Sequence, residues 1–194
     1  TKGYGQITAT ANTSINGAST LRDDEIRIGD SDVYKLADTS YGEAAKNLLG
    51  FNVVYYVHEE SNGDQTLILA RAEASKNSSI EVMAGDIESV SEDDGITLSY
   101  WLDKGNDKQP QEAEIGAEAK LIYNGKAETL SASELQPEAG FVRLLDVDRD
   151  DTYDIVFVTS YENYVVDEVT VSSNRISDKY GKPSLVLDPK DKDL

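Results

Sequence analysis

The 194-residue chain has no cysteine, one histidine, one methionine, one tryptophan and four prolines. Without cysteine there is no disulfide, no thiolate zinc site and no thiol nucleophile. Stability must then come from buried apolar surface or from bound metal. His58, the one histidine, stands beside Glu59 and Glu60 with no second histidine or lysine constellation. It reads as a surface residue, because a general base needs a positioned partner. No G-x-S-x-G elbow, phosphate loop or G-x-G-x-x-G is present, and Gly3-Tyr4-Gly5 is an isolated pair with no helix signal after it. No apolar run approaches a membrane span, so membrane insertion is not expected. Basic residues are scarce: 18 Lys and Arg stand against 37 Asp and Glu, a net charge of −19. That balance argues against nucleic acid or an anionic membrane surface as partner, since both need clustered positive charge. It reads either as solubility and self-repulsion or as carboxylates converging on divalent cations. Among so many acids, pairs arise by chance, so hydrolysis by two carboxylates has no specific support. The chain is expected not to be an enzyme.

What is present is a spacing that occurs twice. Gly50-Phe51 opens FNVVYYV, followed by a polar stretch and TLILA; Gly140-Phe141 opens FVRLLDV, followed by an acidic stretch and DIVFV. Each follows a helix-compatible segment, SYGEAAKNLLG or SASELQPEAG, and each segment follows a hairpin pattern, EIRIGDSDVYKL or KLIYNGKAETL. One unit used twice predicts a scaffold, spacer or binding surface. The expected fold is mainly β, with two related small barrel-like or sandwich-like units, each carrying a short helix. Residues 1–77 form the first β unit, 78–173 the second, and 174–194 the start of a further unit or a tail. The chain reads as a fragment of a longer protein.

Within this frame the alternation predicts a first strand over 6–13 and a hairpin around Gly29-Asp30. Ser40 is expected to cap a helix over 41–49 that Gly50 ends. A hairpin over 51–57 and 66–70 turns at Asn62-Gly63, and another over 120–130 turns at Asn124-Gly125. Asp93-Asp94-Gly95 reads as a further turn. Residues 133–139 make a helical turn, and 141–147 with 155–159 make the closing hairpin. Residues 155–158 lack alternation, so that strand is expected to be buried on both faces. A strand over 164–173 follows, then a turn at Tyr180-Gly181-Lys182-Pro183. The final DPKDKDL is expected to be disordered or to lead onward.

The sharpest local motif is DVDRDDTYD. Asp146, Asp148, Asp150 and Asp154 fall at relative positions 1, 3, 5 and 9. Alternate residues of a tight loop can point inward together, and calcium takes six to eight oxygens. Two readings stand side by side: calcium as cofactor, held by these four residues, or a solvated, metal-free acidic hairpin loop. The motif resembles the D-x-D-x-D-G-x-x-D loops of FG-GAP repeats and, more loosely, EF-hand loops. It departs at Asp151, where those loops carry Gly for a sharp turn. An EF-hand would also need a bidentate Glu at its twelfth position, which is Phe157 here. Trp101, Tyr100 and Tyr123 either line a carbohydrate surface or fill the second core. Asn12-Thr13-Ser14 and Asn77-Ser78-Ser79 match the short glycosylation pattern.

The phrases LLGFNVVYYV, AKLIYNGKA, GFVRLLDVDRDDTYDIVFVTSYENYVVDEV and ISDKYGKPSLVLDP together resemble a region of large exported proteins of clostridia-like Gram-positive bacteria that carry S-layer homology modules. Residues 146–167 resemble a stretch of those proteins reading x-x-D-x-D-x-D-G-x-Y-D-V-V-F-V-x-x-Y-E-x-Y-V-V-D, except for Asp151 in place of Gly. The similarity runs from about Gly5 to Asp188. It implies an extracellular, cell-surface location and a non-catalytic structural or assembly module. The implied partners are other surface-protein segments or cell-wall polymers. The S-layer homology module itself is not in this sequence, so no anchoring function or binding residue is carried over. The alternatives are a calcium-dependent or carbohydrate-binding adhesion module, a two-carboxylate hydrolase and a phage structural protein.

Overall fold

The structure, a computed structural model, describes residues 1–93 and 95–187. The chain is mainly β and divides into two compact units, Thr1–Ser160 and Tyr161–Leu194.

The first unit begins with β1 (Lys2–Ala9), β2 (Glu25–Ile28), β3 (Asp32–Leu36), α1 (Ser40–Ala44), a 3₁₀ turn (Ala45–Leu48), β4 (Asn52–Glu59) and β5 (Gln65–Ala72). These strands close a barrel in the order β1-β2-β3-β5-β4. Every neighbouring pair is antiparallel except β3 and β5. A five-stranded Greek-key barrel of this kind is the architecture to which the OB fold belongs. β1 starts earlier and stops earlier than its alternation suggested, because residues 10–13 turn back, with the Thr10 amide bonded to the Thr13 carbonyl at 2.8 Å. Thr39, not Ser40, caps α1: its hydroxyl accepts from the Gly42 amide at 3.1 Å, which leaves Ser40 as the first helical residue.

The second sheet contains β6 (Ser78–Met83), a 3₁₀ turn (Ala84–Asp86), β7 (Ile87–Ser91), β8 (Ile96–Tyr100), β9 (Gln111–Tyr123), β10 (Lys126–Glu128), a 3₁₀ turn (Ala132–Leu135), β11 (Gly140–Asp146) and β12 (Thr152–Ser160). Its order is β6-β11-β12-β9-β8-β7, with β10 folded back on β9. The two end strands, β6 and β7, are consecutive in the chain and joined by the turn Ala84–Asp86. β12 runs parallel to β9, as β5 does to β3. On this pairing β8 and β9 stand where β2 and β3 stand. The sequence parallel between EIRIGDSDVYKL and KLIYNGKAETL is therefore displaced by one strand, because β10 is a short addition after β9. Asn124 at the β9–β10 turn has φ 45°, the left-handed backbone that an Asn-Gly turn requires. Asp94, within the expected Asp93-Asp94-Gly95 turn, lies outside the described residues.

Gly50 and Gly140, which open the two Gly-Phe segments, both sit at positive φ, +86° and +114°. That conformation places each helical segment against the strand that follows it. The two sheets share apolar packing. Val142, Leu144, Val156 and Val158 face the core of the second sheet, with Leu98, Leu121 and Leu135. Leu145, Ile155 and Phe157, on the same two strands, pack with the first barrel's Ile7, Val53 and Leu67 cluster. β12 is thus covered on both faces, and the 77/78 boundary separates two sheets within one compact unit.

The second unit contains β13 (Val166–Thr170), a 3₁₀ turn (Val171–Ser173), β14 (Arg175–Asp178) and β15 (Leu185–Val186) in an antiparallel meander. The strand expected over 164–173 is shorter and pairs with β14, not with the second sheet. Asp178 holds the 180–183 turn by accepting from the amides of Tyr180 at 2.7 Å and Lys182 at 3.1 Å. The DPKDKDL segment lies outside the described residues.

Candidate metal centre

β11 ends at Asp146, β12 starts at Thr152, and residues 147–151 bridge them. The carboxylates of this loop first serve its own backbone. Asp146, only 2% exposed, accepts through Oδ1 from the amides of Asp148 at 3.1 Å and Arg149 at 2.5 Å. Asp148 Oδ1 accepts from the Asp150 amide at 3.3 Å, and Asp150 Oδ1 from the Thr152 amide at 2.8 Å. Asp154, carried back on β12, accepts from the Val147 amide at 2.8 Å. Arg149 and Asp151 take φ of 66° and 70°. Asp151, where D-x-D-x-D-G loops carry glycine, thus adopts the glycine-like backbone, which Asp tolerates at a cost of about 1 kcal/mol.

These turns bring one oxygen each of Asp146, Asp148 and Asp154 within 4.8 Å of one another. Oxygens around a calcium ion at 2.3–2.6 Å lie up to about 5 Å apart, so the three could hold a metal ion. Asp150, the fourth residue of the motif, is not among the converging oxygens; it shapes the loop through Thr152. The electrostatics are one-sided. Burial pushes the Asp154 carboxyl above its usual range; the negative charges of Asp148, Asp146 and Asp150 push it further, and the Val147 amide partly opposes them. The Tyr153 hydroxyl is raised mainly by burial, with Tyr100, Asp146 and Asp151 adding to it. Among the described residues no Lys or Arg forms an ion pair with the three carboxylates. The nearest basic residue in sequence, Arg149, sends its guanidinium to the Ala74 carbonyl at 3.0 Å.

That contact, with one other, fastens the loop to the first barrel. Asn52 Nδ2 donates to the Val147 carbonyl at 2.7 Å. Asn77 holds Asn52 in turn: its Oδ1 accepts from the Asn52 amide at 2.9 Å, and its Nδ2 donates to the Asn52 and Glu73 carbonyls at 2.9 and 2.8 Å. Asn77, half of a glycosylation pattern in the sequence, is thus a backbone tie. No local signal marks Asn52 or Arg149, since their partners lie 95 and 75 residues away. Beside the loop runs a groove of ≈ 520 Å³ lined by Tyr4, Asn52, Glu73, Lys76, Val147 and Asp148.

The other candidate residues fall elsewhere. His58 is exposed on β4. Tyr100 and Tyr123 pack against the second core, and the Trp101 indole donates to Glu88 Oε2 at 2.6 Å.

Fold and loop together define a mainly β protein with an acidic cluster that could hold a metal ion. No protein-family model, no curated protein and no solved structure matches this chain.

Proposed function

We propose that the chain is a non-catalytic structural or assembly module of an exported cell-surface protein, built from one β module used twice and stiffened by calcium. Asp146, Asp148 and Asp154 hold the ion, and the loop that carries them joins the barrel to the second sheet. The observation that carries this reading is the convergence of three carboxylate oxygens within 4.8 Å in a loop tied to the first barrel through Asn52 and Arg149. A cation there offsets the mutual repulsion of the buried Asp146, the half-buried Asp154 and the exposed Asp148, which have no basic partner among the described residues. Its partners are other surface-protein segments or cell-wall polymers, in keeping with the resemblance to S-layer-associated proteins.

Thermal unfolding in EDTA and then in millimolar calcium tests the reading. An ion that binds only the folded state stabilises it by about 2.7 kcal/mol at a hundred times its dissociation constant, so the melting temperature should rise by several degrees. An unchanged melting temperature, or a rise that persists in the D148N/D154N double variant, would sink it.

A second reading, calcium-dependent saccharide binding, draws on the groove beside Tyr4 and Asp148. Calorimetric titration with cell-wall oligosaccharides, with and without calcium, separates it from the first: heat only in the presence of calcium favours adhesion over scaffolding.

A further inference from the structure

The unit that begins at Tyr161 is a sheet without a core. None of its described residues, 161–187, is buried. Among the described residues of the whole chain, eight of the fifteen exposed large hydrophobic side chains lie in this short stretch, Val171 at 82%, Tyr180 at 77% and Val186 at 64%. The pairing register aligns Val169, Ile176 and Leu185 across β13, β14 and β15, an apolar row on one face. Charge is low here as well: four carboxylates stand against three basic side chains in 161–187, in a chain of net charge −19. A nearly neutral, apolar and uncovered face has the character of an interface.

What covers it is indicated by the first unit. There the antiparallel meander β1-β2-β3 is closed by the helix and hairpin of residues 40–72, β4 pairing antiparallel with β1 and β5 parallel with β3. The path β7-β8-β9 is closed by residues 132–160, β12 parallel with β9 and β11 antiparallel with β6. β13-β14-β15 is a third antiparallel meander, and among the described residues neither edge strand has an outer partner. A second copy of this chain fits that edge poorly. Asp167 and Glu168 lie on β13, and antiparallel self-pairing there would set carboxylates against carboxylates.

We propose that residues 161–187 repeat the meander half of the two preceding sheets, and that their apolar face binds a helix-and-hairpin segment of polypeptide. The segment has the chemistry of residues 40–72: a short helix, a left-handed glycine and two apolar strands joined by a polar turn. One strand adds antiparallel to β13 and the other parallel to β15, covering Val169, Ile176 and Leu185. The proposal does not rest on the cation.

The test uses the 194-residue chain, with synthetic peptides of residues 40–72 and 132–160 as the hairpin probes. Amide hydrogen exchange of β13 and β15 is followed with and without each peptide, alongside sedimentation of the chain alone. The expected result is a monomer whose β13 and β15 amides exchange at least tenfold more slowly with one of the peptides, and not in V169D. Two results would overturn the proposal. One is a concentration-dependent dimer protected over the same amides, which would make a second copy the occupant. The other is a monomer in which neither peptide changes the exchange. Calcium-dependent melting of the first unit is read separately, so failure here leaves the cation reading standing.

Discussion

The hairpins β4–β5 and β11–β12 open on the same Gly-Phe pair, hold corresponding places in their sheets, and do different work. β4–β5 is a wall of one barrel: Val53, Val57, Leu67 and Ala70 face inward, and Tyr56 and Ile68 face water. Its loop closes on itself, with the Glu60 amide bonded to the Asp64 carbonyl at 2.9 Å and the Asp64 amide to Asn62 Oδ1 at 3.0 Å. β11–β12 is a wall and a joint together, with Val156 in one core and Ile155 in the other. Its loop reaches the first barrel through Asn52 and Arg149. The same connectivity therefore yields either an ordinary barrel side or the seam between the barrel and the second sheet, depending on whether the outward face of the hairpin is covered by the other core. The acidic cluster sits at the seam, where a bound ion would stiffen the joint as well as the loop.

The sharpest way to break this comparison is a charge on each hairpin. V156D places a carboxylate where the side chain is fully buried, and should cost more than about 4 kcal/mol, enough to lose the folded circular-dichroism signal. I68D, on the wet face of β5, should cost no more than about 0.5 kcal/mol. Between these lies I155A, which removes packing at the seam at a cost of about 2–4 kcal/mol by denaturant titration. Equal effects of I155A and I68A would mean that the seam is not a packed core.

The two glycines divide the hairpins more finely. A Cβ on Gly140 would fall on the backbone carbonyl of Thr159, whereas one on Gly50 meets side-chain ends, Ile155 Cδ1 at 2.8 Å and Leu145 Cδ2 at 3.2 Å. Both carry the strain of positive φ, about 1 kcal/mol. G140A should therefore lower the melting temperature more than G50A, and the opposite order would show that the seam yields less readily than the β11–β12 ladder.

The loops give a smaller contrast. D146N should abolish the calcium-induced rise in melting temperature, because Asp146 supplies one of the converging oxygens. D150N should leave most of it, because Asp150 is not among the converging oxygens. Equal loss in both would restore Asp150 to the ligand set.

The smallest expected effect is in pH, where Asp154 and Asp178 should move in opposite directions. Asp154 is raised by burial and by its acidic neighbours, so the fold favours its neutral form. In EDTA its contribution to stability is greatest at low pH and declines as pH rises from the ordinary carboxylate range through the raised value. D154N should flatten that slope, and calcium should reverse it, since the ion binds the carboxylate. For Asp178, burial acts upward but is outweighed by the amides of Lys182, Val165 and Tyr180 and the Lys182 charge, and the net shift is downward. Its contribution to the 178–182 turn is present above the ordinary carboxylate range and lost as pH falls through the lowered value. Amide protection near Asp178, taken relative to the intrinsic exchange rate and lost only on acidification, would check this.

Much of the architecture was legible because its signals are local. Gly50 and Gly140 mark left-handed backbone, Asn124-Gly125 marks a tight turn, and the unbroken apolar run of 155–158 marks a strand covered on both faces. The spacing of Asp146, Asp148 and Asp154 is likewise local, since a tight loop presents alternate residues together. Tertiary structure decided the rest: that β9 pairs parallel with β12, that β10 is an addition, and that Asp154, not Asp150, completes the cluster because β12 returns it beside Asp146. It decided too that Asn77 braces Asn52 and that Asn52 holds Val147 across 95 residues of chain. The reason is physical. Backbone conformation and hydrophobic period are dictated within a few residues, whereas the partner of a strand face or a side-chain amide is chosen by which surfaces the folded chain brings together.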